Sequence, residues 1–441
     1  MTVYEPSREL PVSGDYDVVV AGGSCTGLFA AIRAARLGYR TLIVERYNCL
    51  GGAATLALVN VWHSLYSTDG REQIIAGLTS ETLERLMRTG DAEQPNGKTR
   101  HYILDTEALK LTLDQLAGEN SVTTLFDTRA CAVLTDGGRV THLVIENKSG
   151  RSAVRAGVLI DATGDADLAH FLGLPEYTRA YLQPPSACFR LRGDLAGVDL
   201  NRLIAEHGDE VGLPQDWGWY GAIPGYTDIT FHADTHLRGT DATSGRSLSD
   251  AETEGRRHMD AILTLLKKYA PGDWRLMQAC AAVGIRESRH IRARHTVTQD
   301  ELLSGIVPPD AVVRGTYPVD VHHDHDAGIT FRYLDGTQNV VADRAHPGVV
   351  SRWRESTDSP TSYAAPLGAI VQETYGNFIC AGRMLDADEG AYGALRVMVN
   401  LNQYGEAAGV AAALALSEGC AIGQVSAERV RGSLKNGGSA L

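Results

Sequence analysis

An α/β fold built on a strand–helix–strand nucleotide-binding unit is what this 441-residue sequence predicts. Three observations predict it. Residues 17–21 (DVVVA) are a short apolar run ended by glycine, residues 27–37 (GLFAAIRAARL) repeat apolar side chains at helical spacing, and residues 41–45 (TLIVE) are a second apolar run. Continuous apolar runs of this length suit strands covered on both faces. Gly38 is a natural stop for the helix between them. A βαβ unit so near the start makes the nucleotide domain the founding element of the chain.

The turn between the first strand and the helix is Gly22-Gly23-Ser24-Cys25-Thr26-Gly27. It follows the G-x-G-x-x-G template, with Ser24 in place of the second glycine. Gly22 allows the sharp exit from the strand, and Gly27 allows the helix to pack close to it. The helix N-terminus then offers free N–H groups and a positive dipole end to phosphates. Ser24 is small, and its hydroxyl can donate to a phosphate oxygen. Glu45 ends the second strand, 18 residues after Gly27. An acid there accepts from an adenosine ribose and disfavours a 2′-phosphate. Strand, motif, helix, strand and acid in order outweigh a glycine-rich turn without a ligand.

Further along, residues 75–118 are helical in pattern, and residues 122–161 read as strands with a hairpin (VTTLF, ACAVLTDGGRVTHLVIENKSG, VLIDAT). Residues 173–275 change character, with clustered aromatics (WGWYGAIPGYTDITFHAD) and a long amphipathic helix around 248–269. The chain then returns to small-residue motifs. The predicted organisation is a discontinuous Rossmann-type domain, 1–172 and 276–441, with an inserted α+β substrate domain at 173–275. In the returning segment, residues 378–416 read as a strand, a Gly382 turn, a glycine-rich loop and a small-residue helix starting near Asn402.

Composition narrows the function. A net charge of −13 disfavours nucleic acid or an anionic membrane surface as partner. No apolar stretch reaches membrane-spanning length, and the N-terminus reads as no secretory signal. The seven cysteines are scattered without a C-x-x-C pair. That pattern fits reduced thiols in a cytoplasm and offers no metal or disulfide-reductase motif. A homodimer is left open.

The stretches DVVVAGGSCTGLFAAIRAARLG with Glu45, LGGAAT, LIDATGDAD, GIRESRHI, RGTYPVDVHH, AGRMLDADEGAYGALRVM and GEAAGVAAALA together resemble bacterial FAD-dependent oxidoreductases built like two-domain glutathione-reductase-type flavoproteins. The resemblance covers nearly the whole chain and is uninformative about substrate. It implies FAD, held non-covalently, because no His or Cys sits at a familiar covalent-flavin position. It implies that Gly22, Gly23, Ser24, Cys25, Thr26, Gly27, Glu45 and Arg46 hold the ADP half. Gly52, Ala53, Ala54 and Thr55 should run under the flavin, and Ala130 should meet adenine through its backbone. Ala162, Thr163 and Gly164 should close the pyrophosphate side, with Gly382 and Arg383 beside the ribityl chain. Arg396, Val397 and Met398 should border the isoalloxazine, where a helix N-terminus favours the negative charge of reduced flavin. Two relatives are set aside. Arg383 stands where many flavin hydroxylases carry aspartate, and the tryptophans before Ile223-Pro224 are spaced two residues wider than in flavin halogenases. Trp217 and Trp219 read instead as packing on a core strand.

Three regions could carry the chemistry. Arg286 lies in an alternating Arg–Glu run (residues 284–290), which reads equally as an anion site or an ion-pair network. Residues 317–326 (YPVDVHHDHD) are dense in His and Asp. As a strand, Asp320 and His322 share one face, while His323 and His325 point the other way. A metal is not expected there, because one short loop lacks the distant ligands most sites need. His322 is the candidate base or substrate contact, with Tyr317 and Asp320 nearby, and a packed core histidine is the plain alternative. Arg396 is the third candidate, placed for charge. His63 and Tyr363 are weaker pocket candidates. No second dinucleotide motif is present. The expected activity is therefore dehydrogenation or oxidation of a small organic molecule, with reoxidation by oxygen or another acceptor. A monooxygenase using external NAD(P)H and a non-catalytic or sensory flavoprotein are the rival readings.

Overall fold

A computed structural model describes residues 2–97, 99–195, 197–323, 327–344, 346–355 and 358–441. Strand β1 (Val12–Ala21), helix α1 (Cys25–Arg36) and strand β2 (Thr41–Val44) form the βαβ unit. β1 starts five residues earlier than its apolar run. Its polar leading half, Val12–Tyr16, pairs at the exposed end of the sheet with residues 153–156. Val18, Val19 and Val20 are fully buried, as a strand covered on both faces requires.

The sheet has seven strands. Its parallel part runs Thr123–Leu125, β2, β1, Gly150–Asp161 and Phe378–Cys380, in that spatial order. The hairpin Arg129–Asp136 and Arg139–Asn147 continues from the first half of the 150–161 strand. The last parallel strand therefore arrives from over 200 residues downstream, so the nucleotide sheet is discontinuous in sequence.

Two antiparallel sheets lie apart from it. One is built from Phe189–Arg192, Trp219–Ala222, Ile229–Ala233 and Arg275–Ala279, alongside the Gly245–Tyr269 helix. The other is a meander of Val319–His322, Ile329–Arg332, Thr337–Val341 and Val349–Arg352. The sequence reading did not separate this meander from the returning segment. Within 75–118, helices form at Leu78–Thr89 and Thr106–Glu119, with short strands at Ala92–Glu93 and Tyr102–Leu104 between them.

The C-terminal segment departs from expectation. Residues 389–395, read as glycine-rich loop, form a helix whose N-cap Asp388 accepts from the Ala391 N–H at 2.8 Å. An N-cap acid and alanines offset the glycines there. The long helix begins at Met398, not near Asn402, and runs to Glu418. No side chain caps its first turn, so the usual start signal is absent from the sequence.

This helix lies against α1. Gly405 and Gly409 share one face, and a Cβ at either would lie 2.1 Å from a backbone oxygen of α1, that of Thr26 or Ala30. Arg33 of α1 pairs with the fully buried Glu406, its Nε donating at 2.6 Å. Glu406 also accepts from the Leu78 N–H at 3.2 Å, and Arg33 donates to the Gly437 carbonyl at 2.8 Å. One ion pair thus ties α1, two other helices and the C-terminal segment. The contact predicts that Gly409→Ala destabilises the fold by about 1–3 kcal/mol, since overpacking a rigid contact shifts backbone. Urea unfolding measures this, and an unchanged midpoint would refute the close crossing.

Candidate active site

The C-terminal ends of β1, β2 and the 150–161 strand open into a cavity of about 850 Å³. That is toward the upper end of the ~300–1,000 Å³ typical of ligand pockets. Its position outside the carboxyl ends of parallel strands is where α/β sheets bind nucleotides.

The Gly22–Gly27 turn forms one wall. Gly22 has φ +107°, and a Cβ there would lie 2.2 Å from the Ala162 carbonyl oxygen. Ser24 caps α1, accepting from the Gly27 N–H at 3.3 Å. Its hydroxyl hydrogen stays available to an acceptor in the cavity. The Glu45 carboxylate is fixed at the rim by the Gly23 N–H at 2.5 Å and the Tyr47 N–H at 2.9 Å. Each oxygen keeps a lone pair for a ribose hydroxyl. Asp161 organises the opposite turn. It accepts from Thr163 through both N–H and hydroxyl, and from the Leu168 and Ala169 N–H groups. Burial raises its pKa to about 6. Asp165 receives Ser288 at 2.7 Å and pairs with Arg383, while Arg46 stands 3.9 Å away.

Most residues assigned to the cofactor line this one cavity: Gly22, Ser24, Cys25, Thr26, Glu45, Arg46, Gly52, Ala53, Ala130, Ala162, Thr163, Gly164, Gly382, Arg383, Arg396, Val397 and Met398. Gly23, Gly27, Ala54 and Thr55 do not reach its surface; Thr55 instead donates to the Leu50 carbonyl at 2.6 Å. At the far end the helix 398–418 presents its first turn without a side-chain cap, beside Arg396. Its open N–H groups and dipole suit a group that becomes anionic on reduction.

The chemistry-bearing residues gather at that end. Tyr317, Asp320, His322, Arg286, Arg396 and His63 all line it. Asp320 is the hub. It accepts from the Tyr317 hydroxyl at 2.7 Å and from Arg396 at 2.9 Å, and its other oxygen lies 3.4 Å from His322 Nε2. The 389–395 helix holds this strand tightly, since a Cβ on Gly393 would lie 2.6 Å from the Asp320 carbonyl oxygen. His63 packs on the Tyr317 ring at 3.9 Å between centroids. Nδ1 of His322 is buried with no hydrogen-bond partner among the described residues. Burial, then the charges of Arg286, Arg396 and Arg238, push the His322 pKa well below the ordinary imidazole range. Burial likewise lowers His63 to about 3 and raises the Tyr317 phenol well above its usual value.

The alternating run resolves into two jobs. Glu287 is buried, paired with Arg179 and bonded to His290 at 2.9 Å, and Arg289 reaches Asp167 at 3.1 Å. These are the ion-pair network. Arg286 alone of the three lines the cavity. His323 turns away, as its strand position requires, and its ring bonds Thr330 at 2.8 Å. Asp324, His325 and Asp326 lie outside the described residues. Tyr363 is not a pocket residue. It is fully buried, and its hydroxyl meets the Ala394 carbonyl at 3.2 Å and Asn400 at 2.9 Å, bracing the turn that carries Arg396.

Sequence reasoning missed a second histidine. His236 meets the His322 ring edge-on at 4.6 Å between centroids. Its Nδ1 bonds Asp216 at 2.8 Å, and Asp216 also pairs with Arg238 at 3.0 Å. The only signal was polar residues alternating through FHADTHLR, in the stretch poorest in motifs. Trp217 and Trp219 were read as core packing. Trp219 does pack on Phe231, at 4.6 Å between centroids, but both tryptophans also wall the cavity.

Residues 17–434 match the family model described as FAD dependent oxidoreductase. The chain belongs to that family. FAD is its cofactor, and the cavity's phosphate turn, ribose acid and uncapped helix fit it. The curated relatives cover it in part. Digeranylgeranylglycerophospholipid reductase 2 of Methanothermobacter thermautotrophicus is 30% identical over 195 residues, 42% of this chain and 48% of that protein. Dihydrolipoyl dehydrogenase of Trypanosoma brucei brucei is 35% identical over 80 residues, 16% of this chain and 17% of its own length. Thus the chain matches about half of the first relative and under a fifth of the second. Among solved structures, a geranylgeranyl bacteriochlorophyll reductase-like protein from Thermoplasma acidophilum has TM-score 0.47 at 14% identity, covering 96% of this chain and 83% of that one. A p-nitrophenol 4-monooxygenase from Pseudomonas putida has TM-score 0.46 at 12% identity, covering 95% and 84%. Among the described residues no helix is long and apolar enough to cross a membrane.

Gly22→Ala should weaken FAD binding about tenfold to a hundredfold, since a side chain forced to positive φ costs about 1–3 kcal/mol. Titrating apoprotein with FAD and following flavin fluorescence measures this. Wild-type affinity in the variant would move the phosphate site elsewhere.

Proposed function

We propose that this family member is a dehydrogenase or oxidase that takes a hydride from a small organic substrate. It is read as a two-domain flavoprotein of the glutathione-reductase type, with the substrate held where residues 173–275 meet the FAD-binding segments. The observation that carries the reading is His322. It is buried in the cavity wall, held in its neutral form, set among the charges of Arg286, Arg396 and Arg238, and has a ring nitrogen without a hydrogen-bond partner among the described residues. A neutral imidazole so placed accepts the proton that leaves a substrate O–H or N–H as the adjacent C–H is oxidised. Bound FAD supplies the hydride acceptor.

The other residues divide the remaining work. Asp320 and Tyr317 fix the His322 ring and its surroundings. Arg396 and the first turn of the 398–418 helix favour negative charge at the cofactor end. Trp217, Trp219, Phe231 and Phe331 give the cavity apolar surface that excludes water. The sequence carries no second dinucleotide motif for a dedicated nicotinamide domain, which favours direct reduction by the substrate. The seven unpaired cysteines support a cytoplasmic location.

Anaerobic mixing of the holoprotein with a metabolite panel, NADH and NADPH tests the reading. Bleaching of the flavin bands by a metabolite supports it, whereas bleaching only by NAD(P)H would favour a monooxygenase. With that substrate, His322→Gln should slow flavin reduction about 10²–10⁴-fold while FAD content is retained.

The pH dependence has a definite sign. The base works in its neutral form, so activity is present above its pKa and lost below it. Because burial depresses that pKa, the rate should stay level as pH falls through about 6.5, the ordinary imidazole value. An inflection at that pH in the second-order rate of flavin reduction would assign the base to a different, solvated group.

A further inference from the structure

The cationic end of the cavity has a charge left over. Arg396 is matched by Asp320, and Arg238 by Asp216. His63, His236 and His322 are all held neutral by burial. Glu252, which also lines the cavity, accepts from the Val283 N–H at 2.8 Å and pairs with Arg256 at 3.5 Å. Arg286 has no carboxylate partner among the described residues. Its Nη1 alone is engaged, by the Pro184 carbonyl at 2.6 Å and Ser186 Oγ at 2.9 Å.

That arrangement holds the guanidinium through Nη1 and leaves the Nε–Nη2 edge without a hydrogen bond among the described residues. This edge is the planar two-donor face that matches a carboxylate, and an unmatched guanidinium in a confined site favours an anion strongly. Burial and repulsion from Arg396 bring the Arg286 pKa down to about 10, which still leaves it charged at neutral pH. The same cavity is lined by the apolar side chains of Trp219, Phe231, Ile329 and Phe331. One positive charge without an ion-pair partner among the described residues, in a cavity with apolar lining, describes a ligand with one negative charge and an apolar body.

We propose that the substrate is a small monocarboxylic acid whose carboxylate is bound by Arg286 and whose apolar portion lies against the Trp219–Phe331 wall. This rests on the reading of this end of the cavity as the substrate site. It commits to a class of ligand and not to a compound.

The test uses the holoprotein and follows the visible difference spectrum of bound flavin. Acetate, phenylacetate and benzoate are titrated beside their neutral amides. At least one acid should bind at least tenfold more tightly than its amide. Arg286→Met should remove that preference with FAD retained, and Arg286→Lys should keep part of it. If no acid outperforms its amide, or if the preference survives in Arg286→Met, the proposal is overturned. The comparison of acid with amide stands on the wild-type protein alone, so it holds even if a variant fails to fold. Reduction by a neutral metabolite with no acid preference would sink this inference and leave the oxidoreductase reading standing. Arg286-dependent acid binding with no reducing metabolite would leave the carboxylate subsite standing and count against the dehydrogenase or oxidase reading.

Discussion

The crossing of α1 on the 398–418 helix is the constraint on which the site depends. Gly405 and Gly409 let the two backbones nearly touch. The buried Arg33–Glu406 pair then locks the contact and extends it to the helix at 78–89 and to the C-terminal segment. A buried pair of this kind is poor evidence of net stability, because desolvation offsets most of the attraction. What it supplies here is register. Glu406 lies between the two glycines in sequence, so the pair can form only when both glycines face α1.

That register has a functional reading. Both helices start at the same cavity, α1 beside the Gly22–Gly27 turn and the long helix at Val397–Met398. Their N-terminal dipole ends are thereby set at two places along one ligand. The first suits a pyrophosphate, and the second suits a group that gains negative charge on reduction. Sliding one helix past the other by a turn would move those two points by roughly 5.4 Å relative to each other. The spacing of the anion-favouring points is thus set by a helix crossing remote from both.

The nucleotide half was legible because its signals are local. Strand, glycine turn, helix and Glu45 lie within 30 residues, and each has its own backbone reason. The C-terminal helix was legible in kind but not in its start. Val397, Met398 and Val399 carry no capping side chain, and the open first turn that hides the start from sequence is the feature that suits a cofactor. The 389–395 helix was missed because its glycines read as loop. In the fold, Gly393 is where the Asp320 strand packs against that helix. The substrate end was least legible. His236, Asp216 and Arg238 lie in the aromatic-rich insertion, and nothing local to them announces that they meet His322 from another sheet. Their role is a product of tertiary packing.

The electrostatics of the cavity follow from the same division. Near Glu45 and Asp165 the walls are acidic or carry matched pairs, which suits hydroxyl groups and phosphates already served by backbone N–H donors. At the other end the histidines are neutral and the carboxylates are each engaged by an arginine. A neutral base is useful there only if something holds the reacting molecule against it, since imidazole binds nothing by charge. Arg286 can do so without competing for the proton, because a guanidinium does not give up its own near neutral pH. Separating the charge that orients from the group that accepts the proton allows His322 to stay unprotonated beside three arginines. The same arginines that depress its pKa also favour the anion bound next to it. Binding that anion would in turn restore some of the imidazole's basicity, so the base would strengthen when a substrate is present to use it.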